Sequence, residues 1–157
     1  MPPTAFLAML VPAAQACQRA SGIPASFTLA QAALESGWGA RAPGNNLFGI
    51  KADRSWKGPT IDVRTHEYID GKRVAIIDKF RAYPSMADSI ADRADFFRKN
   101  KRYAACFKET TGIGWARAVA AAGYATDPQY ADTLIAVMGG RRMWQYDELP
   151  EVPRVAA

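Results

Sequence analysis

The sequence predicts an α+β fold that is mainly α, with a helical lobe, a small antiparallel β-hairpin lobe and a cleft between them. Apolar residues recur at helical spacing over most of the chain, whereas one stretch alternates around an Asp-Gly pair. The chain has 157 residues, of which 49% are hydrophobic, and this is enough to form the core of one domain. We place that domain at residues 1–140 and a tail, ordered in part at most, at residues 141–157.

The first helix is expected at residues 4–20, with Pro12 kinking or restarting it. One stripe of this segment is apolar at helical spacing and consists of Phe6, Leu10, Ala14 and Cys17. No positive charges precede the stripe, so we interpret it as a helix of the domain and not as a signal peptide. Export would then use something other than an ordinary cleaved signal.

The second helix carries the first candidate site residue, Glu35. Good helix formers fill residues 28–34, and Gly37 and Gly39 are expected to end the helix. Apolar neighbours and the negative end of the helix dipole should both raise the pKa of the Glu35 carboxyl. A carboxyl that stays protonated near neutrality is what a general acid requires. The alternative is an exposed glutamate on a short helix.

A β-hairpin is expected from two alternating segments, residues 60–68 and 73–80, which flank the turn pair Asp70-Gly71. Period-two alternation puts Glu67 on one face, together with Ile61, Val63 and Thr65. A lone hairpin is only marginally stable, so this one must pack on the helices, and that packing creates the cleft.

Four further helices complete the prediction. One follows the N-cap residue Ser85, and another spans residues 115–122 and ends at Gly123. The last has Asp127 as its N-cap and Pro128 at its first position, and it ends at residues 139–140. A shorter helix is expected at residues 104–107.

Charge and composition exclude several classes of protein. The net charge of +5 comes from scattered residues, so the basic surface is either simply solvated or attracted to an anionic partner. There is no phosphate-binding loop, nucleic-acid motif or membrane-spanning run. Cys17, Cys106 and the single histidine His66 match no metal spacing. The two cysteines are expected to be buried free thiols, with a disulfide as the alternative.

Several ordered motifs resemble one family. The segments are 23–26 (IPAS), 30–39 (AQAALESGWG), 45–51 (NNLFGIK), 65–68 (THEY), 80–85 (FRAYPS) and 123–131 (GYATDPQYA). They resemble the bacterial peptidoglycan N-acetylglucosaminidases of glycoside hydrolase family 73, in particular the wall-cutting domain of flagellar rod-assembly proteins. The resemblance covers roughly residues 5–138.

The resemblance implies a lysozyme-like fold that cuts the β-1,4 bond after N-acetylglucosamine in peptidoglycan glycan strands. It implies no metal or cofactor, a location in the periplasm or cell wall, and attraction of the basic surface to the anionic wall. We expect a monomer with no nucleic-acid partner and no membrane span.

By the same resemblance, Glu35 is the acid and Glu67 the second carboxylate. Glu67 would act as base or nucleophile, unless the N-acetyl group of the substrate assists; the alternative is a solvated strand-end glutamate. Tyr124 would orient the sugar or stabilise charge, with a buried core tyrosine as the alternative.

The resemblance also implies a set of substrate-binding residues. Asn46, Phe48 and Gly49 would wall the sugar groove, although Phe48 could equally be part of the core. Trp38 and Tyr130 would pack, line the pocket, or do both.

Two rival functions stay open from the sequence. The first is a muramidase or lytic transglycosylase, since both place one glutamate at a helix end in this fold. The second is a wall-binding module that does not catalyse. The biological role, in flagellar assembly, cell separation or phage lysis, is not encoded in any motif.

Overall fold

The computed structural model describes residues 1–148, which form a helical lobe and one projecting hairpin. The helices are α1 Pro3–Ser21, α2 Ala25–Ser36, α3 Met86–Lys99, α4 Gly112–Ala121 and α5 Tyr130–Gly140, and the strands are β1 Thr60–Ile69 and β2 Lys72–Arg81. Short 3-10 turns lie at Pro43–Asn45, Lys101–Lys108 and Met143–Tyr146. The predicted α+β class, mainly α, is confirmed.

Helix α2 forms the centre of the helical lobe. It packs against α1, α4, α5 and the segment 143–146, and ten of its twelve residues are buried. Its alanines allow neighbouring helices to approach closely, while Phe27 and Leu29 contribute bulk to the core. The end of α2 is therefore held rigidly by the whole lobe.

Helix α1 is continuous through Pro12, so it does not restart there, and a kink at this position stays a prediction. Proline removes one helical N–H and leaves the carbonyl of Ala8 without its usual partner. Both Pro12 and Ala8 are exposed, so water can bind that carbonyl. Phe6, Leu7 and Leu10 are buried in the core, as expected for a helix of the domain.

The hairpin matches the prediction closely. β1 and β2 pair antiparallel, from Thr60 opposite Arg81 to Ile69 opposite Lys72. Asp70 and Gly71 have φ values of 51° and 76°, which are the left-handed conformations of a tight type I′ turn. The base of the hairpin is tied to the loop before it by backbone hydrogen bonds. There, the N–H of Arg81 donates to the carbonyl of Ile50 at 3.1 Å.

The later α-helices differ from the prediction at their ends, and the short helix expected at residues 104–107 lies within the 3-10 turn Lys101–Lys108. Ser85 caps α3 by accepting from the N–H of Asp88, as predicted. Thr111 caps α4 in the same way, so this helix begins three residues earlier than expected. Asp127 accepts from the N–H of Gln129 in a local turn, and α5 starts only at Tyr130.

The segment after α5 packs back onto the helical lobe. Met143 is buried, and the Asp147 carboxylate accepts hydrogen bonds from the N–H and the hydroxyl of Ser26 at 2.7 and 2.8 Å. These bonds satisfy donors in the first turn of α2, where a carboxylate is also favoured by the helix dipole. The rest of the predicted tail, residues 149–157, lies outside the described residues.

Cys17 and Cys106 are both buried and free, so the disulfide alternative is not realised. Over residues 1–148 the structure contains no helix with the length and apolarity needed to cross a bilayer. In the same range, no group of three or more His, Cys, Asp or Glu residues is arranged to hold a metal ion.

Candidate active site

Glu35 lies in the last turn of α2, as the sequence predicts. Gly37 ends the helix in a left-handed conformation with φ 57°, and its N–H bonds to the carbonyl of Ala33. A side chain at Gly37 would collide with the guanidinium of Arg41, whose closest atom lies 2.8 Å from the position of an added Cβ. The helix therefore stops abruptly, and the Glu35 side chain lies at the edge of the lobe.

Two adjoining clefts meet at Glu35. The first, which we call the hairpin cleft, has a volume of about 820 Å³. It lies between the loop after α2 and the hairpin, and its walls include Glu35, Arg41, Asn46, Gly49, Val63, Thr65 and Phe80. The second, the tyrosine cleft, has about 450 Å³, and its walls include Glu35, Phe48, Gly49, Lys51, Asp53, Tyr103 and Tyr124. Glu35 and Gly49 belong to both, so a chain-like ligand that fills both clefts passes the Glu35 carboxyl.

The Glu35 carboxyl is held by one tyrosine. The hydroxyl of Tyr130 donates a hydrogen bond of 2.7 Å to Oε1 of Glu35. Burial raises the pKa of Glu35, and the hydrogen bond from Tyr130 lowers it by a smaller amount, so the net direction is upward. The carboxyl thus has the two properties of a general acid, a fixed orientation and a raised pKa.

Tyr124 and Tyr130 form a stacked pair beside the acid. Their ring centroids are 5.7 Å apart, with 23° between the ring planes. Burial, followed by the charge of Glu35, raises the pKa of both hydroxyls. Both therefore keep their protons at physiological pH and can donate hydrogen bonds. Tyr124 is half-buried and lines the tyrosine cleft, whereas Tyr130 is only 5% exposed.

A buried polar chain lies behind Tyr130, and the sequence analysis missed it. The amide of Gln31 donates to the Tyr130 hydroxyl at 3.1 Å, and its oxygen accepts from Arg93 at 2.9 Å. Arg93 also donates to the hydroxyl of Thr28. All four side chains are buried. A signal was available, since Thr28 and Gln31 are the polar residues of the otherwise apolar stretch 27–34 of α2.

The loop that walls both clefts is organised by Asn46. Its Nδ2 donates to the carbonyls of Ile50 and Arg81 at 2.9 Å, and its Oδ1 accepts from the N–H groups of Phe48 and Ile50. The side chain is 3% exposed and its bonds are internal. Asn46 thus shapes the wall of the hairpin cleft with an amide that is already occupied.

Phe48 and Gly49 form the part of this loop that lies between the clefts. Gly49 has φ 64°, a conformation that glycine adopts without strain. Phe48 is 4% exposed, and its ring lies 4.8 Å from the guanidinium of Arg93. It therefore belongs to the core and also lines the tyrosine cleft.

Two predicted site residues lie apart from Glu35. Trp38 packs edge-on against Phe6 and beneath the guanidinium of Arg141, and it lines neither cleft. Glu67 shares the inner face of the hairpin with Val63 and Thr65, but it is exposed and lies beyond the cleft wall. Within the described part of the chain, no side-chain hydrogen bond or ion pair involves Glu67.

Comparisons with known proteins identify the family of the chain. A sequence model of the family described as glucosaminidase, mannosyl-glycoprotein endo-β-N-acetylglucosaminidase, matches residues 11–141. The chain is 44% identical over 137 residues to the peptidoglycan hydrolase FlgJ of Escherichia coli strain K12, covering 83% of this chain and 44% of that protein. It is 38% identical over 132 residues to the exo-glucosaminidase LytG of Bacillus subtilis strain 168, covering 79% and 46%.

A solved structure has the same fold. The C-terminally truncated glycoside hydrolase domain of Salmonella typhimurium FlgJ matches with a TM-score of 0.78 at 40% identity, covering 90% of this chain and 98% of that one. The chain spans less than half the length of the two curated relatives described above. The predicted lysozyme-like arrangement is confirmed, and the chain belongs to the glucosaminidases of glycoside hydrolase family 73.

Proposed function

We propose that the protein is a peptidoglycan hydrolase that cleaves the β-1,4 bond between N-acetylglucosamine and N-acetylmuramic acid, with N-acetylglucosamine at the new reducing end. Glu35 is the general acid that protonates the leaving glycosidic oxygen. The observation that carries the proposal is the Glu35 carboxyl at the junction of two clefts, with a pKa raised by burial and one oxygen held by Tyr130.

Tyr130 acts on the acid and not on the sugar. Its hydroxyl is already engaged with Glu35 and Gln31, and its ring is buried under Tyr124. Tyr124 has an accessible edge in the tyrosine cleft and a protonated hydroxyl, so it offers a sugar both a stacking surface and a hydrogen-bond donor.

Glu67 is the second carboxylate of the proposal. Its place on the inner face of the hairpin supports a role toward substrate in the hairpin cleft, since Val63 and Thr65 of that face line it. Its exposure means that the glycan itself, or a movement of the hairpin, must bring Glu67 to the reacting sugar. Glu67 would act there as a general base, as a nucleophile, or as a group that stabilises a substrate-assisted step, and experiments must distinguish these three roles.

A muramidase, a lytic transglycosylase and a non-catalytic wall-binding module are the competing functions, and the first experiment separates them all. Purified peptidoglycan is digested, reduced with borohydride and analysed by mass spectrometry. Reduced N-acetylglucosamine ends on oligosaccharides are expected, whereas free N-acetylglucosamine alone would indicate exo cleavage. Reduced N-acetylmuramic acid ends would indicate a muramidase, anhydro ends a transglycosylase, and binding without products a wall-binding module.

The same digest tests whether Glu35 is the general acid. Glu35→Gln keeps the size of the side chain and its acceptor for Tyr130 but cannot donate an acidic proton, so turnover should fall by about 10²–10⁴-fold. Glu109→Gln is the matched control, because Glu109 is an exposed carboxylate that lines neither cleft. Normal turnover by Glu35→Gln would remove Glu35 from the mechanism.

The proposed substrate also fixes where the protein works. Peptidoglycan lies outside the cytoplasmic membrane, so the protein acts in the periplasm or cell wall, and its net charge of +5 favours contact with an anionic wall. We propose that it acts as a monomer; in support, one chain supplies the residues that line both clefts, so the site needs no residue from a second copy.

A further inference from the structure

Arg93 carries a charge into the core without a carboxylate partner. It is 0% exposed, and no salt bridge involves it within residues 1–148. Its guanidinium lies 4.8 to 5.3 Å from the ring centroids of Phe27, Phe48 and Phe97, and its Nε has no hydrogen-bond partner among the described residues. An apolar side chain would fill the same space at a lower desolvation cost, so packing alone does not account for an arginine here.

The chemistry of arginine dictates the direction of the hydrogen bonds that leave it. A guanidinium has five donors and no acceptor, so the group of Gln31 that faces Arg93 must be the amide oxygen. The amide nitrogen of Gln31 then faces the Tyr130 hydroxyl and donates to it. Since the Tyr130 oxygen accepts that bond, its single proton is free to point toward Oε1 of Glu35.

Building on the proposed function, we propose that Arg93 is a positioning residue that fixes the direction of this chain through Gln31 and Tyr130. Oε1 of Glu35 is thereby kept as an acceptor, and the transferable proton of the acid is carried on Oε2. Oε2 makes no hydrogen bond to any described residue and is not among their buried unpaired atoms. The proton therefore sits on the oxygen that substrate can reach.

Several other charged or titratable groups face this chain, and a test must keep them constant. Those sharing a cleft with Glu35 are Arg41, Lys51, Asp53, Tyr103 and Tyr124. Those facing Arg93 are Cys17, Tyr124 and Tyr130. All of them are left unchanged in the variants below, so a change in the titration of Glu35 can be assigned to the chain.

The first test is a direct titration of Glu35 by carboxyl ¹³C NMR. The protein has five glutamates, and Glu35→Gln assigns the resonance of Glu35. In Arg93→Met, the Gln31 amide can turn and compete for the Tyr130 proton, so the Glu35 carboxylate loses its donor and a nearby positive charge. Its pKa should rise by about half a unit to one unit. The alkaline limb of the profile of kcat against pH should move to higher pH by the same amount. The maximum kcat should be lower by roughly tenfold.

Two further variants distinguish three effects on the pKa of Glu35: the direction of the hydrogen bonds in the chain, the positive charge of Arg93, and a general loss of stability. Arg93→Lys keeps the charge but can bind only one of Thr28 and Gln31 strongly, so a smaller shift in the same direction is expected. Ile90→Ala is the control for destabilisation, because Ile90 is buried on the same helix as Arg93, lines neither cleft and carries no polar group. It should lower the melting temperature without moving the pKa of Glu35.

A double-mutant cycle tests whether the effect of Arg93 on Glu35 passes through Gln31. In a Gln31→Met background, Arg93→Met should shift the pKa of Glu35 much less than it does in the wild type, because the chain is already cut. A full shift in that background would mean that Arg93 acts only through its charge. No shift in Arg93→Met or Arg93→Lys would overturn the proposal. If Glu35→Gln instead retained turnover, the proposed function would fail, while the NMR titration would still decide the role of Arg93.

Discussion

The hydroxyl of Tyr130 donates to Oε1 of Glu35 at 2.7 Å, although the two residues are 95 positions apart in the chain. Tyr130 is the first residue of α5 and Glu35 lies in the last turn of α2, and these two helices pack directly on each other. The contact therefore depends on packing across the core, and it couples the conformation of the acid to the position of a separate helix.

Tyr130→Phe should damage both activity and stability. Without the hydroxyl, the Glu35 carboxylate loses its hydrogen bond, so its pKa rises further and the alkaline limb of kcat moves up. The amide of Gln31 also loses its acceptor, which should lower the free energy of unfolding by about 1–3 kcal/mol. Measurements of kcat against pH and of urea unfolding test the two effects.

Tyr146→Phe is the control for this prediction. Tyr146 lines neither cleft, and the atom of it that Gln15 binds is its backbone carbonyl, which the substitution keeps. We expect its kcat within about twofold of the wild type and its stability within about 0.5 kcal/mol. Equal effects from both tyrosines would mean that the contact between Tyr130 and Glu35 has no special role.

Glu35→Gln should make the protein more stable at neutral and alkaline pH although it lowers turnover. The pKa of Glu35 is raised in the folded state above its ordinary value of 4.5, so the fold binds a proton that the unfolded chain releases. As the pH rises from 4.5 through the raised pKa, ionised Glu35 therefore costs the fold stability. The glutamine stays neutral and avoids that cost, a gain of about 0.5–1 kcal/mol.

Thermal unfolding of both proteins across a pH series tests this prediction. The melting temperatures should coincide below pH 4.5, where both Glu35 and its glutamine replacement are neutral, and separate as the pH increases. A constant difference at every pH would show that the substitution acts through packing and not through ionisation.

Local patterns predicted most of the fold, because the signals that define the elements lie within a few residues. The Asp70-Gly71 pair specified the hairpin, and Ser85 specified the start of α3. Pro12 does not restart α1, because it lies on the exposed side of the helix, where water can bind the carbonyl that its missing N–H leaves unpaired. The start of α5 was misplaced, because Asp127 uses its side chain in a turn before the helix.

The site was predicted less completely than the fold. Glu35 could be proposed from one helix end, since its environment is created locally by α2 and Gly37. The chain from Arg93 through Gln31 to Tyr130 joins residues 62 and 99 positions apart, so no local pattern contains it. Which face of α3 meets α2 is decided by packing of the whole lobe.

Glu67→Gln should lower kcat by about 10–100-fold with little effect on stability. Glu67 is exposed and no side-chain hydrogen bond involves it within residues 1–148, so the fold does not depend on its charge. Its neighbour His66 is also exposed but points to the opposite face of the hairpin, which makes His66→Gln the control. We expect His66→Gln to have normal activity. Equal rates for the two variants would exclude Glu67 and favour assistance by the substrate.

Asn46→Ala should behave as a change in structure and not only as the loss of a sugar contact. Its side chain makes four hydrogen bonds, to the backbone of Phe48, Ile50 and Arg81. The alanine leaves these buried groups unpaired, so the free energy of unfolding should fall by about 2–4 kcal/mol. The loop that carries Gly49 should then loosen. At temperatures well below the melting temperature, we therefore expect the rise in KM to be larger than the fall in kcat.

Asn100→Ala is the control for this effect, because Asn100 is exposed and, within residues 1–148, its amide donates only to the carbonyl of Phe96 at the end of α3. It should cost about 0.5–1 kcal/mol and leave KM unchanged. Urea unfolding and steady-state kinetics on the same preparations separate the outcomes. If Asn46→Ala raised KM at unchanged stability, its amide would contact the sugar directly, and the loop would have to rearrange when substrate binds.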